Sequence, residues 1–101
     1  MSAFSDAGEI ITLREATDYT HAFQERYPDA ARSFLIDKSL VERIIQQPGC
    51  TGLRMYNGLV SDKTNLVLIG VNEKGEDLTD GVIAEKLKRC PPDCPKSPLT
   101  K

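Results

Sequence analysis

Tryptophan is absent from this 101-residue chain, and three Phe and three Tyr are its whole aromatic complement. That leaves little material for an aromatic ligand cage or for stacking bases. Positive charge is not in excess either: 13 Lys and Arg stand against 15 Asp and Glu, a net charge of -2 with a pI near 5.3. Holding nucleic acid needs a basic surplus to neutralise phosphates, so nucleic acid is not an expected partner. No apolar run approaches the ~18 residues of a membrane span. The opening MSAFSDAGEI has neither the basic start nor the apolar stretch of a secretory signal. A soluble, cytoplasmic protein with no membrane partner is the resulting expectation. Cysteine is scarce and odd in number, at Cys50, Cys90 and Cys94. This argues against a disulfide framework and predicts free thiols in a reducing cytosol.

What is present fits one small globular domain. Hydrophobic residues make up 40% and charged residues 28% of the chain. Folding at this length buries about 65% of the surface of the unfolded chain, enough for a core but not for a deep catalytic cavity. Any site is expected to be shallow or shared between subunits.

Residues 1–10 carry no period and read as a flexible lead-in, followed by a single domain over 11–84. Thr12-Leu13-Arg14-Glu15 has the spacing of a capping box, in which the Thr hydroxyl takes the N3 amide and the Glu reaches back. Leu13, Ala16, Thr20, Phe23 and Tyr27 then recur at helical steps, predicting a helix with one packed face that ends near Tyr27, before Pro28. Ser33 to Ile36 is apolar but short, a strand or an extended connector. Asp37 is a good N-cap for a second helix with Leu40, Val41, Ile44 and Ile45 on its apolar face, stopped by Pro48-Gly49.

After Cys50 the period falls to two. Leu53 and Met55 alternate with Arg54 and Tyr56, as in a half-buried strand. Asn57-Gly58 and Ser61-Asp62-Lys63 offer turn chemistry, and the apolar run NLVLIGV that follows predicts a central strand with Val67 and Ile69 in the core. Leu78 and Gly81 to Ala84 complete an antiparallel meander of about three strands. Four of the six prolines lie in the last stretch, so 85–101 reads as a Pro- and Cys-containing tail that docks weakly or not at all.

The segment from Asp37 to Ala84, above all QQPGCTGLRMYNGL and LVLIGVNEKGEDL, together with the closing CPPDC, resembles a group of small bacterial proteins. In that group a Gln-Pro-Gly-Cys turn leads into one strand and a Val-Gly-Val-type strand follows a polar loop. The resemblance covers more than half of the chain and implies a bacterial origin and no activity.

The chemistry-bearing residues are few. Cys50, Cys90, Cys94 and His21 match the ligand count of a Cys3His zinc site, and the Cys-x3-Cys spacing falls in the range such sites use. The preferred reading is plainer: a half-exposed helical His, a buried structural Cys and two tail thiols. Cys50 with His21 as base is the only catalytic pair the sequence offers, and no orienting group stands beside either. Gly49 and Gly52 belong to no phosphate-loop pattern. Glu73, Glu76, Asp77 and Asp80 lack the calcium-loop spacing and read as a charged turn. Lys86, Lys88 and Arg89 neutralise too few phosphates to hold DNA. No cofactor is expected.

The sequence thus predicts an α+β fold with two N-terminal helices on a small antiparallel sheet and a Pro-rich tail. A sheet so small leaves open edges, so a homodimer is expected, acting as a non-enzymatic interaction module on a protein partner or a small ligand at the subunit boundary. The alternative is a thiol-dependent enzyme or redox protein built on Cys50, or a zinc-stabilised domain.

Overall fold

A computed structural model describes residues 7–100. Its first helix, α1 (Leu13–Arg26), starts on the capping box: Thr12 Oγ1 accepts from the Glu15 amide and the Glu15 carboxylate accepts from the Thr12 amide. Strand β1 (Ser33–Leu35) follows, then α2 (Lys38–Ile45), where Asp37 accepts from the Ser39 amide at 3.2 Å as N-cap. Strands β2 (Gly52–Val60), β3 (Lys63–Val71), β4 (Ile83–Ala84) and β5 (Lys88–Cys90) complete the chain. The fold is α+β, with one three-stranded antiparallel sheet in the order β2-β3-β4 and a separate antiparallel pair β1-β5.

The meander and its central strand β3 match expectation, but the hairpin does not turn at Asn57-Gly58. Those two residues lie inside β2, opposite Leu66 and Asn65. The chain reverses at Ser61 and Asp62, with φ of 51° and 63°, the two consecutive left-handed residues of a type I′ turn. Turning there pairs β2 with β3 over all nine residues of each, from Gly52↔Val71 to Val60↔Lys63. A turn at Asn57 would have left most of the apolar β3 run unpaired.

The core lies between α2 and the inner face of the three-stranded sheet. Ile44 (0% exposed), Leu68, Ala84 and Leu87 form its centre, with Phe34, Ile36, Leu40, Leu53, Leu66 and Val82 packed around them. Gln47, just past α2, ties that helix to the sheet: its amide donates to the Ile44 carbonyl and its side-chain oxygen accepts from the Val82 amide at 2.9 Å. Ile69 is buried as expected, whereas Val67 is half-buried.

Two larger corrections concern the ends of the chain. Residues 85–101 are not a loose tail as far as they are described: Leu87 is a core residue, Cys90 is fully buried, and β5 pairs with β1 in the register Ser33↔Cys90, Phe34↔Arg89, Leu35↔Lys88. The described strands therefore number five rather than three. Period and length fail here because β5 is a three-residue strand run straight into two prolines, held by a partner more than fifty residues away. Cys90 and Cys94 are joined by a disulfide, Cα to Cα 4.7 Å, in place of the expected free thiols. The Cys90-Pro91 and Pro91-Pro92 peptide bonds are cis.

The second correction is to α1. Leu13, Phe23 and Tyr27, expected on a packed stripe, are all exposed, and Gln24 is the buried residue of this helix. Phe23 and Tyr27 meet each other, ring centroids 5.1 Å apart. The helix is tied to the C-terminal segment instead: the Gln24 amide donates to the Leu99 carbonyl at 2.9 Å, and His21 Nε2 donates to the Pro98 carbonyl at 2.8 Å.

Candidate interaction edge

In the three-stranded sheet, β2 is an edge strand that pairs with β3 alone among the described residues. Nine residues of strand run about 30 Å. The eight residues of α2 span only about 12 Å. The helix therefore covers the start of β2, where Leu53 joins the core, and cannot reach its far half. Met55 and Leu59 share the face of Leu53 by strand alternation, yet are 60% and 73% exposed. Tyr56 and Val60, on the opposite face, are exposed as well.

Charge does not guard this edge. Arg54 is the one ionic side chain in GLRMYNGLV, and it is held within the molecule. Its guanidinium donates to the Asp77 carboxylate at 2.7 Å and to the Gly75 carbonyl at 2.9 Å, while the Tyr56 hydroxyl donates to the other Asp77 oxygen. Arg54 and Tyr56 stand two apart on one strand and so point to the same side. Asp77 comes to them on a loop shaped by Asn72, whose side-chain oxygen accepts from the Lys74 and Glu76 amides, and a backbone bridge joins Asp77 to Val71. The i, i+2 spacing of a strand Arg and Tyr was the available signal for this clasp. Its acidic partner lay in what the sequence presents as a charged turn.

The clasp sets the titration of its members. The Tyr56 hydroxyl, helped by the Arg54 guanidinium and opposed by partial desolvation, holds the Asp77 carboxyl below its ordinary 3.8. The hydrogen bond to Asp77, together with desolvation, raises the Tyr56 phenol above 10.0. Asp77 thus contributes stability that is present above pH 3.8 and is lost as pH falls through its lowered folded value. Tyr56 contributes stability that is present below pH 10.0 and is lost as pH rises through its raised folded value. Asp77→Asn is therefore expected to melt below the parent by a constant margin across neutral pH, a margin that shrinks in acid. Thermal midpoints by circular dichroism over a pH series check this, and a margin unchanged at the acid end would refute it.

The residues weighed for metal or nucleophile chemistry are not brought together. Cys90 and Cys94 spend their sulfurs on each other. Cys50, half-buried between α2 and β2, donates to the Gly52 carbonyl at 3.3 Å, and His21 on α1 is bonded to Pro98. No group of three or more His, Cys, Asp or Glu among the described residues is placed to hold a metal ion. Among Glu73, Glu76, Asp77 and Asp80, Asp77 is committed to the clasp and Glu76 accepts from the Asn72 amide. Lys88 and Arg89 lie in β5 and Lys86 just before it, with Lys86 and Lys88 exposed. No described helix is long and apolar enough to cross a membrane. No family model matches the chain, and no curated protein or solved structure matches it.

Proposed function

We propose that this chain is a non-enzymatic protein-interaction module that works by continuing its three-stranded sheet across the β2 edge, and that its first partner is a second copy of itself. The nine-residue β2 edge, unpaired among the described residues and with Arg54 as its one ionic side chain held by Asp77, is the observation that carries this reading. Long exposed edges are usually blunted by Lys, Pro, bulges or a covering segment, because their free N–H and C=O groups template a further strand. Between Gly52 and Val60 there is no Lys, no Pro and no free charge.

A second β2 laid antiparallel about a twofold axis satisfies those groups on both copies with one operation, since each strand then presents the same residues to the other. Met55 and Leu59 on one face and Tyr56 and Val60 on the other would lose water at the same time. Self-association suits this edge better than a charged peptide, which would find no opposite charge along it. The thiol-enzyme reading has no comparable support, because the base and orienting group that Cys50 needs are not beside it.

Light scattering at micromolar concentration is expected to give a dimer. Met55→Lys with Leu59→Lys, both at exposed positions and so compatible with folding, is expected to give a folded monomer. A parent that stays monomeric up to about 1 mM, where even weak association shows, overturns the dimer. A dimer that survives both lysines overturns the assignment to β2.

A further inference from the structure

We infer that the Cys90–Cys94 disulfide is a reducible clasp that decides whether the C-terminal segment 95–100 stays strapped across α1. The disulfide fixes where the chain goes after β5. Cys90 ends that strand, fully buried, and its carbonyl accepts from the Arg32 amide at 2.6 Å, so it belongs to the body of the protein. Cys94 is exposed, and the bond to Cys90 pins the chain back at that point within four residues. From there the segment runs to Pro98 and Leu99, whose carbonyls take the His21 and Gln24 donors of α1. A small turn, in which the Leu99 amide donates to Ser97 Oγ and the Thr100 amide to the Ser97 carbonyl, presents those two carbonyls.

Two observations make the strap dependent on the clasp. The His21 and Gln24 bonds that help to seat it both end on backbone carbonyls, and each is worth little by itself in competition with water. Against them stands the conformational freedom of the segment, which the disulfide curtails by closing the CPPDC loop. Gln24 is also the buried residue of α1, and with the strap gone its amide would lose the Leu99 carbonyl.

The chemistry is an exchange with an external dithiol. A thiolate of the reductant attacks the sulfur of exposed Cys94, the Cys90–Cys94 bond breaks, and Cys90 leaves as a thiolate that takes up a proton. The second thiol of the reductant then attacks the mixed disulfide, Cys94 leaves and is protonated, and the reductant departs oxidised by two electrons. Attack at Cys90 is blocked by its burial.

Hydrogen exchange on the full chain, oxidised and then reduced with dithiothreitol, tests the inference. Amides of 95–100 and of the second half of α1 are expected to exchange at least tenfold faster after reduction, with the β2-β3 hairpin unchanged. Cys94→Ser should show the same pattern without reductant. His21→Ala with Gln24→Ala should free 95–100 while the disulfide stays closed. Exchange unchanged on reduction, a loss of protection spread through β2 and β3, or a strap still protected in the His21/Gln24 variant would each overturn it.

Discussion

Leu68→Asp is expected to abolish the cooperative thermal transition of this protein. Leu68 is 3% exposed and lies at the centre of the core, with Ile44 from α2, Ala84 from β4 and Leu87 beyond it. A carboxylate there has no basic partner, so it must be buried charged or take up a proton, and either costs several kcal/mol. The lost leucine packing adds about 2–5 kcal/mol, the usual cost of truncating a buried Leu. Small domains carry about 5–15 kcal/mol in all. Val67→Asp is the informative control: Val67 lies one residue earlier, points to the other face and is only half-buried, so this variant should still melt cooperatively. Equal melting of the two by circular dichroism would show that the core is not where α2 meets β3.

Gly70→Ala is expected to cost about 1–3 kcal/mol, the range for overpacking a filled interior. A Cβ at position 70 would sit 2.9 Å from Cys50 Sγ and 3.3 Å from both Gln47 Nε2 and Leu78 Cδ1. The sulfur is the worst clash and is also removable. In a Cys50→Ala background the same substitution should cost markedly less, with a coupling in the range of about 0.5–3 kcal/mol found for residues in contact. Urea denaturation of the four proteins of the cycle measures it, and additive costs would refute a packing role for Cys50. The cycle bears on function too, since a sulfur that fills the space above a strand glycine is occupied with packing.

Local signals in the sequence carried both helix starts and the central strand, because each rests on residues close in sequence. Thr12 and Glu15 cap across three residues, Asp37 caps across two, and NLVLIGV announces its own burial. The β1-β5 pairing had no such signal. Ser33 to Leu35 and Lys88 to Cys90 are each too short to show a period, and what makes them strands is their contact with each other. The exposed stripe of α1 has a related cause: periodicity reports that a helix has an apolar face, and the described residues leave Leu13, Phe23 and Tyr27 exposed. Asn57-Gly58 is the opposite case, a strong local turn signal overruled by nine paired residues. Of the interaction edge, the sequence showed that a small sheet must have one. It could not show that β2 would run unbroken for nine residues, which depends on the turn falling at Ser61-Asp62 and not at Asn57-Gly58.

The separation of the two sheets also fixes an order of events in time. A two-residue turn closes the β2-β3 hairpin, and such hairpins form in about 1–10 μs. Closing β1 onto β5 must instead gather a loop of more than fifty residues before a single bond rewards it. Loop-closure entropy therefore favours forming the hairpin before the ribbon. Contacts made after the rate-limiting barrier leave the refolding rate untouched and govern how fast the native state comes apart. Weakening the β1-β5 ribbon is accordingly expected to speed unfolding more than it slows refolding.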